Sequence, residues 1–103
     1  PKIISNQDNI ISSSEQISFV EINNIIKYRC GVCHAKNPTF DGIESPPKGI
    51  VYDSPQDILK NLSLIQAQAI DSDAMPPGNM TGITQQEREK ILLWIQQGTS
   101  INK

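Results

Sequence analysis

Arg29-Cys30-Gly31-Val32-Cys33-His34 gathers the reactive side chains of a 103-residue chain, since it holds both cysteines and the one histidine. Two thiols three positions apart, with an imidazole adjoining the second, admit several chemistries. A disulfide between Cys30 and Cys33 would close so short a loop that it would store strain and contribute little. A thioredoxin-like redox pair wants its cysteines at a helix N-terminus between strands, whereas the residues before Cys30 read as a helix that ends there. Structural zinc needs further strong ligands, and the chain has no third cysteine and no second histidine.

Working outward from this stretch, Ser18 with Glu21 has the form of a capping box. Ile22, Ile25, Ile26 and Arg29 follow at helical spacing, so a helix is expected over residues 19–30. Upstream, residues 1–17 carry Ser12-Ser13-Ser14, Asn6, Asn9, Gln7 and Gln16 around isolated isoleucine pairs without a helical period. They read as a flexible tether ahead of a domain spanning 18–103. The chain opens on Pro1 with no charged-then-apolar signal segment, and is read as a trimmed or processed piece.

Downstream, residues 35–53 hold Pro38, Gly42, Pro46, Pro47 and Gly49, which forbid regular structure over most of the segment. A loop of this length is expected to wrap something. Ser54-Pro55-Gln56-Asp57 opens a second helix, with Ser54 as N-cap and Pro55 at the first helical position. Ile58, Leu59, Leu62, Ile65, Ala69 and Ile70 then form one face. A second loop, residues 71–83, contains both methionines and the run Met75-Pro76-Pro77-Gly78-Asn79. Thr84-Gln85-Gln86-Glu87 repeats the capping-box form. Ile91, Leu92, Trp94 and Ile95 give the last helix its apolar face, and Gly98 stops it. The fold class is all-α: three main helices joined by two long ordered loops, with no strand.

Only 37% of the residues are hydrophobic and 5% aromatic. A domain this small removes only about two thirds of its unfolded surface from water. A staple is therefore expected, whether disulfide, metal, cofactor or partner. With 9 basic and 11 acidic residues, none clustered, and a net charge of -2, the chain has no basic stripe for nucleic acid. No stretch approaches a membrane span. Lys27, Arg29, Lys36 and Lys48, with Asp71 and Asp73, read as an ordinary mixed surface.

The spacing Cys-x-x-Cys-His is the attachment pattern for c-type haem. Two thiols three positions apart reach the two vinyl groups on one porphyrin edge to form thioethers, and the adjoining histidine points its imidazole at the iron. One covalent haem c is thus the expected cofactor. With His34 as proximal ligand, either a methionine completes His/Met ligation or the iron stays open. Met75, held before Pro76-Pro77, is preferred over Met80, which reads as core filler. Asn79 offers its amide to the sulfur or a propionate, or serves only its turn. His34 needs an acceptor for its other ring nitrogen; a backbone carbonyl in Ser45-Pro46-Pro47, with Pro47 a named candidate, is expected to supply it. Trp94 is either plain core or a donor from its indole to the haem.

In these residues the chain resembles a small class I cytochrome c over about residues 19–98. That resemblance implies that the first and last helices cross, with the haem between the loops, Cys30 and Cys33 as attachment residues, and His34 and Met75 as axial ligands. A closer likeness lies in Arg29 through His34, Pro38-Thr39-Phe40, Pro46-Pro47-Lys48-Gly49, Met75 through Gly82, Glu87-Arg88 and Trp94-Ile95. These runs resemble the C-terminal cytochrome domain of membrane-bound urate hydroxylases, in which a membrane-embedded domain oxidises urate and the cytochrome passes electrons to the respiratory chain. The resemblance implies one-electron transfer in the bacterial periplasm or at the outer face of the inner membrane, with redox proteins as partners: a fused or neighbouring membrane domain and a respiratory acceptor. No catalysis is expected of the piece itself, and a monomer is expected in isolation. A free soluble shuttle, or an open-site haem protein binding a gas or peroxide, are the alternatives.

Overall fold

In a computed structural model, residues 16–102 are described. They form four α-helices and no strand: α1 Phe19–Arg29, α2 Pro55–Lys60, α3 Leu62–Ile65 and α4 Gln85–Gln96, with a π-helical turn, Gln66–Ile70, continuing α3. The chain is helical as expected, and its long segments 31–54 and 71–84 are irregular apart from two single 3-10 turns, Pro47–Gly49 and Pro77–Asn79.

Local side chains account for the helix boundaries. Ser18 Oγ accepts the Glu21 N–H at 3.3 Å, opening α1. The Glu21 carboxylate does not turn back to complete the box; it pairs with Lys90 of α4. α2 and α4 have complete capping boxes, Ser54 with Asp57 and Thr84 with Glu87, each satisfying two backbone donors that the first turn leaves free. Beyond α4, Gly98 adopts φ 105°, a conformation that costs glycine little, and Thr99 N–H closes the end onto Trp94 O.

The second helix does not run unbroken to Ile70. Asn61 leaves helical geometry (φ −109°, ψ 22°) and its amide Nδ2 donates to Asp57 O at 2.9 Å. An asparagine side chain that captures a backbone carbonyl competes with the helical ladder. The apolar spacing carries on across the break, which is why it gave no warning.

α1 and α4 run in opposite senses and pack together: Phe19 lies against Trp94, with ring centroids 5.7 Å apart, Glu21 pairs with Lys90, and Arg29 with Glu87. The core between and beside them contains Ile22, Ile26, Ile91 and Trp94 at 0–1% exposure, joined by Ile58 and Ile65 from the second helical segment. Leu93, not Leu92, is fully buried on α4. α4 also contacts the 66–70 turn, so it is covered on more than the single face that the spacing of its apolar residues predicts.

Most of the expected tether, residues 1–15, lies outside the described residues. Its last residue does not behave as a tether: Ile17 is 1% exposed within the core, and its N–H donates to Gln97 Oε1 at 2.9 Å. The domain therefore begins no later than Ile17. No helix among the described residues is long and apolar enough to cross a membrane.

Candidate functional site

At the C-terminus of α1 the chain tightens at once. Cys30 and Gly31 both donate their N–H to Ile26 O, at 2.8 and 2.7 Å, and Cys33 and His34 both donate to Cys30 O, at 3.2 and 2.9 Å. A Cβ on Gly31 would stand 3.0 Å from Lys27 O, so a side chain here would press on the helix end against which the turn closes. The result is a compact knot that carries two free thiols and one imidazole.

His34 is oriented from the long loop. Its Nδ1 lies 2.9 Å from Ile50 O. A carbonyl can only accept, so Nδ1 carries the proton and Nε2 keeps its lone pair for a ligand. Tyr52 N–H donates to His34 O at 2.7 Å, and the Tyr52 ring meets the imidazole edge-on at 5.5 Å. The expected carbonyl in the Ser45-Pro46-Pro47 run is therefore corrected to Ile50. The physical reason is local: Pro46 O and Pro47 O accept Gly49 and Ile50 N–H inside the 3-10 turn, at 3.0 and 3.1 Å, and the first carbonyl beyond that turn is the one that reaches the ring.

Cys30, Cys33 and His34 form one part of the wall of a cleft of about 310 Å3. Met75, Pro76, Pro77 and Met80 form another part of its wall, and Ile43, Pro47, Ile50, Tyr52, Leu64, Ile65 and Ala69 make the rest of the lining mostly apolar. Pro47 thus lines the cleft, while its carbonyl accepts Ile50 N–H. Both methionines face the same space, but Met75 is half-buried whereas Met80 is 51% exposed. A larger groove, about 660 Å3, runs over the α1–α4 junction. Its lining includes both interhelical ion pairs but neither cysteine, His34 nor a methionine, so the smaller cleft is where the reactive groups converge.

Two expected site residues lie elsewhere. Trp94 is not among the residues of the cleft; its indole Nε1 donates to Ser100 O at 2.9 Å, and its ring is fully buried against Phe19. Its one polar atom is satisfied by the chain beyond α4, and the residue is core. Asn79 likewise spends its amide on Ile83 O, at 3.1 Å, and lies outside the cleft lining. It secures its own turn. Arg29 is no surface charge either: its guanidinium pairs with Glu87 and donates to Thr81 O at 2.6 Å.

Burial pushes the Cys30 thiol up to about 12, an effect reinforced by Cys33 and opposed by the nearby Arg88 charge. Burial raises the Cys33 thiol as well. Reactive redox pairs and metal thiolates rely on depressed values, and neither thiol here is lowered. Among the described residues, no three His, Cys, Asp or Glu side chains come together as a metal site.

No protein-family model, curated protein or solved structure matches this chain. The site is read from its own chemistry alone.

That chemistry fits a covalently held porphyrin. The cleft is lined by two thiols, a histidine with a bare Nε2, a thioether sulfur and apolar side chains, which is the donor set of a His/Met haem c. Sequence reading missed Ile50 O, Tyr52 and Gln68, and it noted Arg88 only within the Glu87-Arg88 run, without a role at the site. Each acts through the backbone or over a long sequence separation, and none carries a local signature.

Proposed function

We propose that this chain is an all-α monohaem cytochrome of the class I kind, which moves one electron at a time. When bound, the haem iron would supply the Fe(III)/Fe(II) couple. Cys30 and Cys33 hold the porphyrin edge covalently. His34, fixed by Ile50 O, presents Nε2 as the proximal ligand, and Met75 is the distal ligand. The apolar flanks Ile43, Ile50, Ile65 and Ala69 exclude water, and methionine ligation in a dry site favours reduced iron and raises the potential. The single observation that carries this reading is the convergence of both thiols, the oriented histidine and Met75 on one apolar cleft.

The likeness to the C-terminal cytochrome domain of membrane-bound urate hydroxylases extends the proposal: the chain accepts electrons from a urate-oxidising membrane domain and passes them to a respiratory acceptor, in the periplasm or at its membrane face. Urate chemistry itself belongs to the parent protein and not to these residues. The direct test is haem staining after denaturing electrophoresis of the protein expressed with a haem-attachment system. A stained band at the mass of the chain is expected; a colourless band with two titratable thiols would overturn the reading.

A further inference from the structure

Two methionines line the cleft, and the chain treats their backbones differently. Met75 N–H donates to Gln68 O at 2.9 Å, and Met75 O accepts from Arg88 Nη1 at 3.1 Å. Both backbone polar groups of this one residue are thus tied to other elements, the 66–70 turn on one side and α4 on the other. Arg88 Nη1 also donates to Ala69 O at 2.5 Å, bracing the same turn. Met80, in contrast, donates its N–H to Pro77 O within the local 3-10 turn, at 3.1 Å, and its side chain is half in solvent.

The base of the Arg88 side chain is itself held. Arg88 stands in the first turn of α4, beside Glu87, whose carboxylate completes the capping box with Thr84 and pairs with Arg29 of α1. Arg88 N–H closes the first turn onto Thr84 O at 3.1 Å. A guanidinium is planar and always charged, and it can serve two carbonyls at once, which a lysine ammonium on a flexible stem does with less geometric definition.

We infer that Arg88 is a positioning residue that makes Met75, and not Met80, the sixth ligand of the haem. Its guanidinium hydrogen bonds go to Ala69 O and Met75 O and not to a thiol or the imidazole, although its charge is felt at Cys30. By holding Met75 O while Gln68 O holds Met75 N–H, it prepays the ordering of the residue that must place its sulfur, so that ligation costs less conformational freedom. The inference rests on the His/Met reading proposed above.

The test is imidazole titration of the oxidised holoprotein, followed by absorption, because imidazole must displace the methionine sulfur to bind. Arg88→Gln is expected to raise the apparent imidazole affinity about tenfold, the change expected when one charge-assisted hydrogen bond is lost. Arg88→Lys is expected to fall between Gln and the parent, and it stands in should the Gln variant not fold. In a Met75→Ala background, where no sulfur is displaced, Arg88→Gln and Arg88→Lys are each expected to leave imidazole affinity unchanged; a merely structural role would shift it in both backgrounds. Equal affinities in parent and Arg88 variants, or equal shifts with and without Met75, would overturn the positioning role. A parent protein with no spectroscopic sign of methionine sulfur would instead overturn the His/Met reading on which it stands.

Discussion

The turn at residues 30–34 is closed by backbone bonds spanning five residues or fewer, from Cys30 and Gly31 to Ile26 and from Cys33 and His34 to Cys30. The facing loop, residues 75–82, is held by side chains arriving from 13 residues away at Arg88 and 52 at Arg29. The backbone of the 30–34 turn is thus set locally, although the His34 ring takes its orientation from Ile50 O and Tyr52 in the long loop; the methionine loop is braced by side chains from α1 and α4.

The most severe way to probe this contrast is to remove what bridges the two regions. In Cys30→Ser/Cys33→Ser, which cannot hold haem covalently, the methionine loop loses its partner while the α1 end keeps its backbone bonds. Circular dichroism is expected to show loss of cooperative unfolding in this variant with residual helix; a sharp transition like that of the holoprotein would show that the small apolar core suffices alone. Next in size is Gly31→Ala, which places a Cβ 3.0 Å from Lys27 O. Neither atom belongs to a flexible side chain, so the turn must shift, and denaturant unfolding is expected to report about 1–3 kcal/mol of destabilisation.

On the methionine loop, Thr81→Val removes the 2.7 Å bond from Thr81 Oγ1 to Arg29 O while leaving the Arg29 bond to Thr81 O in place. The expected cost is about 1 kcal/mol. A cost of this size would show that this bond ties the methionine loop to the end of α1, and the absence of a cost would remove it from the account. The smallest effect is in acid. Burial pushes the Glu87 carboxyl up, but the Thr84 N–H and the Arg29 guanidinium outweigh it and hold the group below its ordinary value of 4.5. A carboxylate lowered in the folded state stabilises at pH above its unfolded value, and that contribution fades as pH falls below about 4.5 and through the folded value. Glu87→Gln is therefore expected to flatten the acid limb of stability against pH; an unchanged limb would remove Glu87 from the clasp.

The same contrast decides what could be read in advance. The end of α1 near Cys30, the N-caps at Ser18, Ser54 and Thr84, and the stop at Gly98 are written in residues within a few positions of where they act, and each is legible. The break in the second helix is not, because Asn61 interrupts the backbone without disturbing the apolar spacing. Arg88 has no local pattern that reveals a reach to Ala69 and Met75, and a carbonyl such as Ile50 O has no side-chain identity at all. Trp94 could be recognised as large and apolar, but its donor turned to Ser100 because the chain folds back after Gly98. Ile17 sat at the edge of a polar run and was read with its neighbours, although it seals the core.

The central claim is that His34 and Met75 together hold one haem iron across this cleft, and the red-region charge-transfer band of the oxidised protein, which reports methionine sulfur on ferric haem, tests it most directly. The band is expected in the parent and in Met80→Ala and is expected to vanish in Met75→Ala with conversion to high-spin iron. Its absence from the parent, or its loss in Met80→Ala with retention in Met75→Ala, would contradict the account.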